Sequence, residues 1–448
     1  MKDIPGPKGK PIVGSSLDFA KNPPHFFVNL YREYGELTHF RLGFIDAYLL
    51  ASPELVQEVL IEKAKHFEKS QRGRERLSKF LGNGLVTSIG EFHKHQRKLI
   101  QPAFRQKYLN GYSEAMLHYT DALKEKWQDG KQVDLSEDMM ELTMHIVCKT
   151  LFDLEVSEQS KQVGEAIMEL QEITKKDLTA PFNTPTYLPF PTNFRRKKLL
   201  AVVYDILEDM IQSYRKRELP EDSKAFHLMT ALLDASREEG LEPMEDRQLR
   251  DELLTLFVAG HETTSNALSW TWYELSRHPE IEARFHQELD EVLQGEPVSL
   301  EHLPKLTYTT MIFKEAMRLY PPAWSLVGRE SQEEQQIGDY MIPKRGLLFI
   351  SPYVLHRLEK YFPEPETFRP ERFTPENEKQ LPRHLYIPFG TGHRICIGRS
   401  FAMMEGILLL ASIGQKFRFK RLSDKEAEIL PQITMSIKGG LPVEVQTR

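Results

Sequence analysis

Only two cysteines, Cys148 and Cys396, occur in 448 residues. That excludes a disulfide framework and a CxxC pair for zinc or iron–sulfur, and it points to a reducing compartment. Basic charge is not in excess: the formal net charge of -6 argues against a nucleic-acid-binding protein. Long apolar runs are missing too. Uncharged apolar stretches such as Leu253 to Gly260 fall far short of the ~18–20 residues of a membrane span. The opening MKDIPGPKGKPIVG is too polar and too rich in proline and glycine for a signal peptide. The expectation is a soluble, cytoplasmic protein with no membrane anchor. Hydrophobic residues at 40% and charged residues at 28% are ordinary for a globular chain with a large core.

The pattern along the chain is mostly helical. Glu36–Gly43 and Ala47–Ser52 read as strands of a hairpin, and Pro53 opens a helix over PELVQEVLIEKA. Leu135 to Ser236 is mainly helical, broken at Asp177–Asn193 by Pro181, Pro185, Pro189 and Pro191. The longest helix is expected from about Glu245 to His278, stopped by Pro279, and lacks the sustained heptad of a coiled coil. Another covers Leu306–Tyr320. Short strands follow at Tyr340–Ile342 and Leu347–Ser351, then an irregular stretch over Phe362–Pro388. A last helix runs from just after Cys396 to about Gln415. The fold class is therefore mainly α with a minor β part.

The most informative segment is Phe389-Gly-Thr-Gly-His-Arg-Ile-Cys396-Ile-Gly398. A glycine-rich loop delivers one cysteine to the mouth of a helix, where the helix dipole and free backbone N–H groups favour a thiolate. Gly392 and Gly398 leave room for a backbone to approach a flat cofactor. Arg394 can reach an anionic group, and Phe389 can shield the sulfur from water. Cys148, inside the apolar MHIVCKTLF, has the environment of an inert buried residue.

Midway along the longest helix stands Ala259-Gly260-His261-Glu262-Thr263-Thr264. A glycine there costs about 1 kcal/mol relative to alanine. It either makes room for a ligand, beside a carboxylate and hydroxyl that can pass protons, or serves helix packing with threonines bonded back to the preceding turn. A zinc-protease HExxH is excluded, because Ser265 stands where the second histidine is needed. Glu315 and Arg318 share a helix face at i, i+3 among apolar neighbours, and Arg372 in PERF can supply a third partner. His93 and Arg97 share a face at i, i+4. Residues 92–113 hold five Lys/Arg (Lys94, Arg97, Lys98, Arg105, Lys107) and no Asp or Glu.

These motifs together, in their order along essentially the whole chain, resemble the cytochrome P450 family. FGTGHRICIG is similar to its heme-binding signature, AGHETT to its oxygen-activation motif, and Glu315, Arg318 and Arg372 to its Glu–Arg–Arg triad. The resemblance implies one domain over 1–448, with a β-rich part at about 1–60 and 320–352, and heme b (iron protoporphyrin IX) between the long helix and the cysteine-loop helix. Cys396 would be the axial ligand; thiolate ligation favours O–O cleavage. Glu262 and Thr263 would be the acid–alcohol pair. His93, Arg97 and Arg394, with Arg329 in support, would contact the propionates, His93 standing where many members carry tryptophan. Gly260 would lie against the cofactor. The pocket would draw on Leu85, Val86, Val258, Ala259, Ala323, Leu326, Val327 and Met435, mainly apolar and suited to a fatty acid, terpene or steroid.

The implied reaction inserts one oxygen atom from O2 into such a substrate. With no flavin or iron–sulfur module in the sequence, electrons from NAD(P)H would arrive through a separate ferredoxin- or flavodoxin-type donor, steered by the basic 92–113 segment. A peroxide-using or isomerase-type relative, and a non-enzymatic heme sensor, are the alternatives.

Overall fold

The computed structural model describes residues 3–152, 158–180, 183–216 and 244–448. The last part of the expected 135–236 helical region, beyond Lys216, lies outside the described residues.

The helices, in chain order, are α1 (Ser16–Lys21), α2 (Pro23–Tyr34), α3 (Pro53–Gln57), α4 (Gln71–Leu81), α5 (Gly90–Ile100), α6 (Gln106–Glu125), α7 (Leu135–Phe152), α8 (Glu158–Thr179), α9 (Pro191–Lys216), α10 (Asp246–Leu275), α11 (Pro279–Leu293), α12 (Thr307–Leu319), α13 (Pro352–Leu355), α14 (Pro375–Gln380) and α15 (Arg399–Gly414). The expected helix from Pro53 is α-helical only to Gln57 and then widens to a π-turn over Glu58–Glu62. Among the described residues no helix is long and apolar enough to cross a membrane.

The chain forms two compact units. The first comprises residues up to Gly73, Thr310–Cys396 and Glu426–Lys438. Its centre is a five-stranded sheet in the order β1-β2-β8-β5-β3, made of β1 (Leu37–Leu42), β2 (Ile45–Leu50), β3 (Phe67–Lys69), β5 (Arg329–Ser331) and β8 (Leu347–Ile350). β1 and β2 form the expected antiparallel hairpin, with Leu37 opposite Leu50. β2 then pairs in parallel with β8. Under the sheet, the rings of Phe27, Phe40 and Phe349 lie 5.2–6.0 Å apart, spacing at which aromatic pairs add to burial. Met435, among the expected pocket residues, is wholly buried in this core.

The second unit comprises the described residues of Arg74–Thr309, with Ile397–Lys425 and Gly439–Arg448. Its axis is α10, 30 residues and so about 45 Å long. It packs most extensively against α7. From Asp251 to Leu275 every residue is buried except Val258, Ala259, Gly260, Glu262 and Thr263; the helix carries many polar residues into the interior, and hydroxyls such as those of Ser269 and Thr271 are satisfied by donating back to the Ser265 and Ala267 carbonyls. α15 is enclosed in the same way from Met404 to Gly414. A small sheet in the order β4 (Gln132–Asp134), β12 (Pro442–Thr447), β9 (Phe417–Arg421) belongs to this unit; there Trp272 stacks edge-on against Phe419 at 4.9 Å. In the first unit β6 (Gln335–Ile337) pairs with β7 (Tyr340–Ile342), and β10 (Ile429–Pro431) with β11 (Met435–Ile437).

Candidate active site

In the first unit the cysteine loop is built outward from a buried charge cluster. Arg318 donates from Nε to Glu315 Oε2 at 2.7 Å and from Nη2 to Oε1 at 2.9 Å, with both side chains fully buried. Its remaining donors reach the carbonyls of His356, Pro365 and Thr367. Arg372 Nε lies 3.3 Å from Glu315 Oε1, and its Nη2 donates to the Pro363 and Glu364 carbonyls. Glu315 also accepts the Arg369 N–H at 2.9 Å. The three residues grouped from the sequence do meet. One carboxylate thus holds two guanidiniums, which in turn tie down the 356–367 chain. Burial and the nearby Arg318 charge pull the Arg372 guanidinium below its ordinary range.

The carbonyl end of this cluster leads to the cysteine. His356, bonded through its carbonyl to Arg318, accepts the Ile387 N–H on Nε2 at 2.9 Å. Burial drives its imidazole pKa well down, helped by Arg318 and Arg357, so it is a neutral acceptor. Tyr386 donates its hydroxyl to the Lys314 carbonyl at 2.8 Å. Beyond them the loop turns: Gly390 N–H to Ile387 O at 2.9 Å, and Cys396 N–H to Phe389 O at 2.8 Å. Gly392 has φ +72°, and a Cβ there would sit 2.6 Å from the Leu60 carbonyl oxygen. The close approach that demands glycine is therefore to the chain's own backbone. His356 was not marked in the sequence, since an isolated histidine 40 residues upstream carries no local signal.

Cys396 emerges exposed, whereas Cys148 is buried and its thiol is pushed up to about 12 by burial. Three residues after Cys396 comes α15, with Gly398 at its N-cap. Two guanidiniums are buried in the same unit: Arg329 is 6% exposed and the Arg394 side chain 8%. Burial draws the Arg329 pKa down to about 10, with Glu68 opposing, so it stays charged near neutrality. Glu68 lies 3.9 Å from Arg394. Two buried cations facing one carboxylate make a site suited to further carboxylates.

In the second unit the partly exposed strip of α10 carries Glu262 and Thr263. Glu262 Oε2 accepts from Gln171 Nε2 at 2.7 Å, and Thr263 Oγ1 donates back to the Ala259 carbonyl at 2.8 Å. Thr264 does the same to Gly260 at 3.2 Å. A Cβ on Gly260 would meet Val147 Cγ2 at 3.1 Å, so close packing on α7 is sufficient reason for that glycine. His261 is buried, its Nδ1 2.8 Å from the Phe257 carbonyl. On α5, His93 is buried and Arg97 partly exposed. Leu85 is buried and Val86 partly exposed; Ala323, Leu326 and Val327, in the first unit, are partly exposed.

One group in the second unit was not singled out from the sequence. Glu405 on α15 is fully buried, neither carboxyl oxygen has a hydrogen-bond partner of good geometry, and burial raises its pKa to about 8, slightly offset by Thr264. Its apolar surroundings, visible in FAMMEGILLL, were the available signal.

An exposed cysteine in a glycine loop, with two buried arginines in the same unit, is a residue set that fits a heme thiolate. The Cytochrome P450 family model matches residues 4–442. Among relatives, the chain is 35% identical to cyclooctatin synthase of Streptomyces melanosporofaciens, over 96% of this chain and 93% of that protein. It is 33% identical to cyclooctat-9-en-7-ol 5-monooxygenase of the same organism, over 92% and 89%. To pentalenene oxygenase of Streptomyces avermitilis it is also 33% identical, over 92% and 90%. The chain belongs to the cytochrome P450 family, and it is an oxidoreductase of the monooxygenase type. Membership implies heme.

Proposed function

We propose that the protein inserts one oxygen atom from O2 into a terpene-like hydrocarbon or alcohol. The carrying observation is the exposed Cys396 thiol at the end of a loop anchored on a buried Glu315–Arg318–Arg372 cluster. The terpenoid class is supported by the names of relatives that match nearly end to end and by the apolar residues assigned to the pocket: Leu85, Val86, Val258, Ala259, Ala323, Leu326 and Val327.

Cys396 would ligate the iron, and Phe389 would keep water from the sulfur. Arg394, Arg329, His93 and Arg97 would hold the propionates, with Gly392 and Gly398 shaping the loop and Gly260 letting the helix lie close. When bound, heme supplies the oxygen-activating metal, and thiolate ligation favours O–O cleavage. The protein's own task is protons and position. Glu262, held by Gln171, and Thr263, held by the Ala259 carbonyl, stand on the one partly exposed strip in the middle of α10. There they would serve as the groups that hold and pass protons. Electrons would come from NAD(P)H through a separate ferredoxin- or flavodoxin-type partner docking on the basic 92–113 segment. The site of action would be the cytoplasm, and all these parts would work as one domain.

The test is the reduced, CO-bound spectrum of the purified protein and of Cys396→Ser. The thiolate band is expected in the first and absent from the second. Spin-state shifts with pentalenene and related terpene hydrocarbons, followed by turnover with NAD(P)H and surrogate ferredoxin components, test the substrate class. No shift with any of them, beside one with a fatty acid, would overturn it.

A further inference from the structure

Two buried carboxylates on α10 do not belong to the acid–alcohol pair. Asp251 is 5% exposed and Glu252 is fully buried; each spends one oxygen on a neighbour in its own helix, Asp251 Oδ1 on Arg250 and Glu252 Oε1 on Gln248, and the other on the loop after α4. Asp251 Oδ2 accepts the backbone N–H of Asn83 at 2.9 Å, and Glu252 Oε2 accepts that of Leu85 at 2.7 Å. Gln248 completes the set, donating from Nε2 to the Asn83 carbonyl at 3.1 Å and to Glu252 Oε1 at 2.8 Å. Positions 248, 251, 252 and 255 form one stripe of a helix, and the loop after α4 lies on it.

The loop sequence is shaped for that contact. Gly82 has φ +59°, and a Cβ on it would fall 2.2 Å from Asp251 Oδ2. A Cβ on Gly84 would fall 2.1 Å from Thr255 Oγ1 and 2.7 Å from the Asp251 carbonyl oxygen. Thr87 draws the turn closed by donating its hydroxyl to the Gly82 carbonyl at 2.8 Å. Upstream, α4 is fastened separately: Arg76 donates to the Leu178 and Ala180 carbonyls at 2.7 Å, and Lys79 to Thr184 O at 2.6 Å. Burying two carboxylates against a loop is costly. Charge-assisted bonds to backbone N–H groups offset that cost only in one geometry, so the arrangement specifies a position where an apolar contact would merely adhere.

We infer that Asp251 and Glu252 are positioning residues that clasp the 82–86 loop and thereby set the size of ligand the pocket accepts. The inference rests on the proposed pocket role of Leu85 and Val86. The Leu85 N–H bond fixes where those two side chains stand relative to Val258 and Ala259, six and seven residues beyond Glu252 on the same helix, about 9–11 Å away along its axis. Loosening the clasp lets the loop move while the heme-binding residues stay in place.

The experiment uses the holoenzyme with Glu252→Gln, Asp251→Asn and Gly84→Ala. Gly84→Ala displaces the loop with both carboxylates intact. Hydrogen exchange is followed over residues 82–88, and affinity for imidazole, 4-phenylimidazole and a biphenyl-substituted imidazole is read from the Soret shift. In the two neutralised variants, exchange at Asn83 and Leu85 is expected to quicken at least tenfold. In all three variants the preference between the smallest and largest azole is expected to change at least tenfold, with heme content preserved. Unchanged exchange in the neutralised variants overturns the clasp. Faster exchange with unchanged azole preference overturns its role in selectivity, as does a folded Gly84→Ala with wild-type preference. Should the wild-type protein lack the thiolate spectrum, the proposed function fails instead, and the exchange measurement still decides the clasp.

Discussion

Arg318 grips Glu315 through two hydrogen bonds of 2.7 and 2.9 Å inside a fully closed interior. The pair sits one turn apart on α12, and every other donor of the guanidinium is spent on a carbonyl of the segment leading to the cysteine loop. Removing one partner leaves an uncompensated buried charge, which costs about 3–5 kcal/mol. Arg318→Ala is therefore expected to lower the urea midpoint sharply and to yield protein with little heme. Arg318→Lys should recover only part of this, because a lysine lacks the planar fork. A near-wild-type midpoint for Arg318→Ala would show the cluster to be dispensable.

Gly392→Ala should destabilise the first unit by more than the ~1–2 kcal/mol of left-handed backbone strain alone, because the added Cβ also meets the Leu60 carbonyl at 2.6 Å. The expected result is a lower melting temperature with heme lost before global unfolding. Scanning absorbance and circular dichroism together separates the two transitions.

Glu405 predicts a pH dependence. Its carboxyl titrates near 8 when folded against an ordinary 4.5, so the folded protein holds a proton that the unfolded chain has released. Stability contributed by the neutral form is complete below about 4.5 and declines as pH rises towards about 8, by at most ~1.4 kcal/mol per pH unit. Above the folded-state value the slope vanishes. Glu405→Gln should flatten the curve and be the more stable protein at pH 8. Urea midpoints at pH 5.5, 7 and 8.5 check this; parallel curves for both proteins would refute it.

Charge reversal at Lys94, Lys98 and Arg105, all exposed, should slow electron transfer from an acidic donor severalfold at low salt. The difference should shrink above ~0.15 M salt, where the screening length falls to about 8 Å. Substrate-induced spin shifts should not change. Stopped-flow reduction at two ionic strengths makes the measurement, and equal rates at low salt would reject this docking face.

Much of the site was legible because its chemistry is local in sequence. The cysteine loop, its two glycines, its arginine and the helix that follows are contiguous, and Glu315 and Arg318 are one turn apart. The Glu262–Thr263 pair is legible for the same reason, and the structure adds that it occupies the one uncovered strip in the middle of α10. The ends of α10 and α12 fall within a few residues of where the proline stops place them. What stayed hidden depends on partners distant along the chain. His356 meets Ile387, Gly392 meets Leu60, Glu252 meets Leu85, and Gly260 meets Val147.

The amino-acid sequence by itself determined which family this chain belongs to and which groups stand close together: the cysteine in its glycine loop, the adjacent Glu262 and Thr263, and Glu315 one turn from Arg318, each set by residue type and short-range spacing. Tertiary structure alone decided which of those groups are exposed, neutral or held fast. Burial, dielectric environment and hydrogen-bond partnership are properties of neighbours in space, and spacing along a chain does not specify neighbours hundreds of residues apart.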